Sequence, residues 1–308
     1  MTDSLRLVLG AGGFLGGALA RELRRGGRAV RGFGRRPATV GRELHDLPWV
    51  EAELEDEDAL ARALDGVDVV HHLLGSAKPA AADAGALGRE VAGTRRLLQL
   101  MEAKGVRRLT YASSGGTVYG ASRVLPTPET EPLAPTTAYA RSKVQIEELL
   151  ARGEALHGVA SVVLRLSNPF GPGLRPLRGQ GLIPAVLARL MRDEPVEVWG
   201  DGAMKRDFLW VGDAVEAFLA AERRAIADVI NIGSGVSRSV LEVVADAGRV
   251  VGREPVVIHR EARAADLPTS ILDVSRAADV LGWRCRADWM RSLQETADWV
   301  RRTGSPDD

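Results

Sequence analysis

Tyr139 and Lys143 stand four residues apart in Tyr139-Ala-Arg-Ser-Lys143, within a stretch whose apolar residues return every three or four positions. On a helix that spacing sets a phenol and an ammonium one turn apart on one face. A phenol ionises reluctantly near neutral pH, and fixed positive charge beside it favours the phenolate, so the pair has the makings of a proton-transfer site. The spacing alone arises by chance in many helices. It gains weight from two earlier segments, Gly10-Ala-Gly-Gly-Phe-Leu-Gly16 and Tyr111-Ala-Ser-Ser-Gly-Gly-Thr-Val-Tyr-Gly120.

The first segment follows the apolar run Leu5 to Leu9 and opens an amphipathic stretch through Leu19 and Leu23, which reads as strand, turn and helix. In that context Gly10 permits the tight turn, Gly13 lets the backbone approach a pyrophosphate, and Gly16 allows close helix packing. The helix N-terminus, with Phe14 and Leu15 in its first turn, faces the phosphates of a dinucleotide. Many such sites carry an acid at the end of the second strand for the adenosine ribose, but Ala29-Val-Arg-Gly-Phe-Gly-Arg-Arg36 puts Gly34 there. Arg35 and Arg36 either hold a ribose 2′-phosphate or form a solvated basic turn, and the cofactor is accordingly NAD or NADP.

The elements that must position these residues alternate along the chain. Strand-like runs at Leu5 to Leu9, Ala29 to Gly32, Val67 to Leu73, Arg108 to Ala112 and Ala160 to Leu166 are separated by helical stretches such as Val91 to Ala103 and Ala138 to Ala155. This alternation predicts an α/β fold with a Rossmann-type, doubly wound parallel sheet. From about Asn168 the texture turns proline- and glycine-rich, which predicts a smaller substrate-binding α/β lobe, and Val229-Ile-Asn-Ile-Gly-Ser-Gly235 reads as one more strand and turn. The expected division is residues 1–167 plus 206–235 for the dinucleotide and 168–205 plus 236–308 for the substrate.

Composition narrows the partners. With 308 residues, the chain is long enough for two interdependent lobes. Basic and acidic side chains number 41 each, so no electrostatic case exists for nucleic acid or an anionic membrane. A single cysteine, Cys285, excludes an intramolecular disulfide framework and suits a reducing cytoplasm. The apolar opening from Leu7 to Ala20 is too short for a bilayer and contains five glycines, which argues against a transmembrane or export segment. His71 and His72 fall on a predicted buried strand without companion ligands at metal spacing, and no metal is expected.

Taken in order, Gly10 to Gly16, Val70-His-His-Leu73, Ser113 to Gly120, Tyr139 with Lys143, Arg165-Leu-Ser-Asn-Pro-Phe-Gly-Pro172 and Arg206-Asp-Phe-Leu-Trp-Val211 resemble the extended short-chain dehydrogenase/reductase family, in its nucleotide-sugar epimerase and dehydratase branch. The resemblance implies that Tyr139 is the acid/base and that Lys143 holds the nicotinamide ribose. It also places Leu73 and Leu74 beside the cofactor, Leu74 replacing a smaller residue, and Glu53 where relatives often have an adenine-binding Asp. Glu90 stands where many have Asn; it either alters the charge near the cofactor or lies on the helix surface.

The family usually has a Ser or Thr three residues before the Val of Val-Tyr-Gly, and here that position is Gly115. Ser114, the favoured substitute, or Thr117 would supply the missing hydroxyl, unless both only tie down the turn. Gly115-Gly-Thr117 also lacks the carboxylate expected of sugar dehydratases. For the substrate, an NDP-sugar, UDP-linked by resemblance, the implied contacts are Asn168, Leu182, Ile183, Arg206, Arg263 and Asp266, with the arginines on diphosphate or base, unless Arg206 instead forms a domain-spanning ion pair. Trp199 either stacks or, as is expected of an aromatic, fills the lobe core. The implied assembly is a homodimer through the two long helices.

These readings lead to a 4-epimerase that oxidises its sugar transiently to a 4-keto intermediate. The alternatives are an NADPH-dependent ketosugar reductase, suggested by Arg35 and Arg36, and a non-catalytic dinucleotide sensor, suggested by Gly115.

Overall fold

The apolar runs become strands of one parallel sheet. The computed structural model describes residues 4–36, 42–75, 84–175, 181–224, 226–262 and 268–303. Its main sheet takes β1 (Leu5–Leu9), β2 (Ala29–Phe33), β3 (Trp49–Val50), β4 (Val67–His72), β5 (Arg108–Ser114) and β6 (Ala160–Leu166). After β7 (Asn168–Phe170), β8 (Val196–Trp199) and β9 (Lys205–Trp210) the chain returns to it as β10 (Asp228–Ile232). The order β3-β2-β1-β4-β5-β6-β10 reverses direction between β1 and β4, the switch point where doubly wound sheets open a crevice at their carboxyl ends. Register pairs Leu9 with both Phe33 and His72, His72 with Tyr111, and Ser114 with Leu166. The segments after β1, β4 and β5 therefore leave the sheet along one edge.

Helices cover both faces because each presents an apolar stripe. On one side α1 (Phe14–Arg25) and α7 (Val211–Glu222) bury Leu19, Leu23, Ala214 and Phe218 against Val8, Leu164 and Ile230. On the other, α2 (Glu57–Ala63), α3 (Ala84–Lys104) and α5 (Ala138–His157) bury Leu60, Leu97, Met101, Ile146 and Leu150 against Leu7, Leu9 and Val70. Each such fully buried leucine contributes about 2 kcal/mol by removing apolar surface from water. Local signals set the helix ends. Asp56 caps α2 by accepting from Ala59 N at 2.9 Å, and Thr137 caps α5 by accepting from Ala140 N at 3.1 Å. Gly158, left-handed at φ 61°, stops α5.

The second half of the chain builds a smaller layer around β9, which pairs with β7, β11 (Ser237–Ser239) and β13 (Thr269–Ser270), while β8 pairs with β12 (Val257–Arg260). Helices α6 (Leu182–Met191), α8 (Val240–Val251) and α9 (Trp289–Thr303) pack Leu187, Val243 and Leu293 around an aromatic group of Phe170, Phe208 and Trp289. Trp199 corrects the expectation of core packing: it is 42% exposed. Alternation along β8 puts Val196 and Val198 inward and leaves Glu197 and Trp199 on the other face. Among the described residues no helix is long and apolar enough to cross a membrane.

Candidate active site

At the switch point the glycine loop is held by backbone contacts. Gly10 takes φ +84°, and a Cβ there would stand 2.8 Å from the Leu73 carbonyl oxygen; a Cβ on Gly16 would stand 2.1 Å from the Gly10 oxygen. Gly13 is the N-cap of α1 and offers no side chain to its first N–H groups, and the first turn carries no acid. Those donors and the positive end of the helix are left for an anion. Leu15 packs on the core cluster, and Phe14 lies 3.5 Å from the Cβ position of Gly173, where the loop after β7 approaches. Leu73 N donates to Leu9 O at 3.0 Å, tying the β4 exit to the same loop.

The two arginines after β2 are treated differently by the fold. Gly34 takes φ +110°, a conformation that disfavours the carboxylate side chain many dinucleotide sites place there. Arg36 donates to His45 O at 2.7 Å and lies 5.8 Å above the Trp49 ring, so its guanidinium serves its own loop. Arg35 instead lines a cleft of about 280 Å³ together with Glu53, Leu74, Gly75, Leu87 and Glu90. A second cleft, of about 380 Å³, lies among residues of α6, α8 and α9, such as Met191 and Val300, and includes none of the expected site residues.

Tyr139 occupies the first turn of α5, directly after the Thr137 cap, and is half-buried. One turn on, Lys143 is buried on the helix face that also carries Ile146, Glu147 and Leu150. Its Nζ lies 5.6 Å from the Tyr139 ring centre and donates to Glu90 Oε1 and to the Tyr111 hydroxyl, each at 3.0 Å. Burial alone would lower the Lys143 ammonium; the Glu90 carboxylate, with Tyr111 and Tyr139, instead holds it well above its usual range. Burial drives the Tyr111 hydroxyl far above the ordinary phenol range, leaving it a neutral partner. The Glu90 side chain does not lie on the helix surface: it is only 10% exposed and faces Lys143.

The β5 exit is braced from below by buried charge. Arg165 donates to Glu147 Oε2 from Nη2 at 2.6 Å and to Glu147 Oε1 from Nε at 3.2 Å, and to the Tyr119 hydroxyl at 2.8 Å; that hydroxyl donates to Asn231 Oδ1 at 2.7 Å. Ser113 donates to the same Glu147 carboxylate. Above this network α4 (Gly115–Val118) begins at Ser114, whose side chain makes no capping bond, while Thr117 Oγ1 is 3.4 Å from Ser114 O. A Cβ on Gly115 would lie 2.6 Å from Leu272 Cδ1 and 3.0 Å from Arg165 O. Position 115 is thus packed against a buried leucine, Leu272.

A glycine-loop anion site and a Tyr/Lys pair share one sheet edge, and the comparisons with known proteins assign the arrangement. The NAD dependent epimerase/dehydratase family profile matches residues 6–233. The chain belongs to this family. It is an NAD(P)-dependent enzyme of the short-chain dehydrogenase/reductase type. UDP-glucose 4-epimerase of Mycolicibacterium smegmatis is 30% identical over 306 residues, covering 96% of this chain and 98% of its own. The solved UDP-glucose 4-epimerase of Thermotoga maritima with UDP-glucose superposes with TM-score 0.90 at 30% identity, covering 97% of this chain and 99% of its own. MoeE5 in complex with UDP-glucuronic acid and NAD does so with TM-score 0.87 at 31% identity, covering 98% and 100%.

The structure places the remaining expected residues of this family member as follows. Asn168 on β7 donates to Asp207 O at 2.9 Å, and its amide is 3.9 Å from the Cβ position of Gly116, beside the Ser114–Thr117 turn. Arg206 on β9 donates to Lys205 O at 2.8 Å and reaches Met204 Sδ. Leu182 is half-buried at the start of α6, whereas Ile183 is 1% exposed within the lobe core. Arg263 and Asp266 lie outside the described residues. His71 and His72 are buried and engaged with Thr110 Oγ1 at 2.7 Å and Thr94 Oγ1 at 3.0 Å.

Sequence reasoning missed four residues that shape the site: Tyr111, Glu147, Arg165 and Asp207. Asp207 accepts from Ser234 N and Oγ, at 2.8 and 2.7 Å, and from Ser167 Oγ, joining β9 to the turn after β10. A signal existed for two of them. Glu147 follows Lys143 by one helical turn on an otherwise apolar stripe, and Arg165 interrupts a buried strand, so each required a partner.

Proposed function

We propose that this chain is an NDP-sugar 4-epimerase that takes a UDP-sugar and works through a transient 4-keto sugar. The observation that carries the reading is the half-buried Tyr139 beside Lys143 at the dinucleotide edge, next to a turn, 115–117, that holds no carboxylate for elimination. The similarity along nearly the full chain to two UDP-glucose 4-epimerases supports it.

The residues present fit a dinucleotide: the Gly10 and Gly16 cradle leaves no room for a Cβ, the α1 N-terminus carries no acid, and Arg35, Glu53 and Leu74 line the adjoining cleft. When bound, the cofactor supplies reversible oxidation of the sugar carbon. Tyr139 as phenolate accepts the C4 hydroxyl proton and returns it after the keto sugar has turned over in the pocket. Ser114 hydrogen-bonds the same sugar oxygen, Lys143 supports the phenolate and orients the ribose, and Asn168 and Arg206 hold the nucleotide diphosphate. In this proposal residues 1–167 plus 206–235 carry the dinucleotide and 168–205 plus 236–308 close over the sugar nucleotide. The long α3 and α5, packed on one another, form the homodimer face.

The test is incubation of the purified chain with UDP-glucose, and separately UDP-N-acetylglucosamine, without added cofactor, followed by NMR. Appearance of the C4 epimer supports the proposal. Stoichiometric consumption of added NADPH with a keto sugar, and no epimer, replaces it with a reductase.

A further inference from the structure

Lys143 is the positive charge beside Tyr139, yet a carboxylate already faces it. Glu90 Oε1 sits 3.0 Å from Lys143 Nζ, with side-chain exposures of 10% and 3%. The contact is built rather than casual. Thr94 Oγ1 donates to Glu90 O at 2.8 Å and meets His72 Nε2 at 3.0 Å, which anchors this turn of α3 to β4. Gly75 makes room for the pair, since a Cβ there would lie 3.1 Å from Lys143 Nζ and 3.7 Å from Glu90 Oε1. Glu90 also reaches the cleft that Arg35 and Glu53 line, so one side chain touches both the lysine and the cofactor space.

We propose that Glu90 is a positioning residue that fixes Lys143 and offsets part of its charge at Tyr139, so that the Tyr139 phenol stays protonated in the free protein and ionises when a cationic cofactor enters the cleft. The consequence for turnover rests on the reading of Tyr139 as the acid/base; the charge coupling itself does not. The other groups facing the pair leave the balance unchanged near neutral pH. Tyr111 from β5 is held neutral by burial, and burial, aided by Lys143, lowers His72 on β4 to about 3. Glu147 on α5 is matched by Arg165 from β6. Lys143 and Glu90 therefore act as a near-neutral pair in a low-dielectric site, where a second positive charge has its largest effect.

The tyrosine count makes this measurable. The chain has three tyrosines, and burial pushes Tyr111 and Tyr119 above the ordinary phenol range. Near-ultraviolet phenolate absorbance of the full chain thus reports Tyr139 first, and Tyr139→Phe confirms that assignment by removing the transition. In Glu90→Gln the Tyr139 phenol should become about tenfold more acidic, because a neighbouring negative charge has been removed. Added NAD+ should acidify the parent toward the variant. Glu90→Asn provides a second neutral side chain should the glutamine form fold poorly. An unchanged midpoint in the neutral variants overturns the proposal. A raised midpoint also overturns it and assigns Glu90 to keeping Lys143 protonated. A shifted midpoint in a chain that fails to epimerise UDP-sugars keeps this inference and removes the proposed function instead.

Discussion

The loop after β1 and the helix that carries Tyr139 meet at the same sheet edge but are held by opposite means. Around Gly10 and Gly16 the fold relies on steric exclusion: backbone atoms approach so closely that no side chain fits, and the first turn of α1 carries no acid. Around Lys143 and Arg165 it relies on electrostatic compensation, with buried cations facing Glu90 and Glu147. The first arrangement presents empty N–H donors to whatever anion arrives. The second stores charge whose effect changes when another charge enters, which is what a proton-transfer site requires. A pocket built by exclusion tolerates charge changes and resists added volume, and one built by compensation does the reverse.

The largest expected effect tests the compensated side. Tyr139→Phe should lower kcat by about 10³-fold, within the range of positioned acid/base groups, while dinucleotide affinity from fluorescence titration stays within twofold, roughly speaking. A variant that turns over at the parent rate would remove Tyr139 from the mechanism. Next, Glu147→Ala strands the Arg165 guanidinium and should cost about 3–5 kcal/mol in urea unfolding, whereas replacing both residues by Leu and Met costs less.

On the excluded side, Gly16→Ala should strain the loop by about 1–3 kcal/mol and weaken dinucleotide binding correspondingly, with the Tyr139 phenolate transition of the free protein unmoved. A shifted transition would mean that the two regions are not separable. Arg35→Ala should weaken NADP about tenfold relative to NAD, an effect absent in Arg36→Ala because Arg36 is tied to His45 O and Trp49. The smallest effect is expected of Gly115→Ser. It should restore no activity and destabilise by about 1 kcal/mol, since the new side chain meets Leu272 and the Arg165 carbonyl. A gain in kcat would show that the hydroxyl reaches the sugar after all.

Much of the fold was legible because it is written in local period. The runs at Leu5 to Leu9 and Ala160 to Leu166 coincide with β1 and β6, and the helical stretch from Ala138 starts where α5 does. The shared helix face of Tyr139 and Lys143, the proposed catalytic pair, was legible for the same reason, since the two need only one turn of helix to meet. Trp199 was misread because its burial depends on which face of a two-stranded ribbon meets the lobe core. Glu90 resisted a single reading because its partner lies 53 residues away.

The sequence by itself determined the glycine-rich strand-turn-helix, the phenol and ammonium on one helix face, and the alternation that builds a parallel sheet. Each follows from backbone sterics and side-chain period within one or two elements. Tertiary structure alone decided that Glu90 pairs with Lys143, that Arg35 and not Arg36 lines the cleft, that Gly115 backs onto Leu272, and that Asp207 ties β9 to the turn after β10. These are outcomes of strand register and of α3 docking beside α5. The energy of a buried charge is set by which partner the fold brings within hydrogen-bond reach, and spacing along the chain carries no record of that distance.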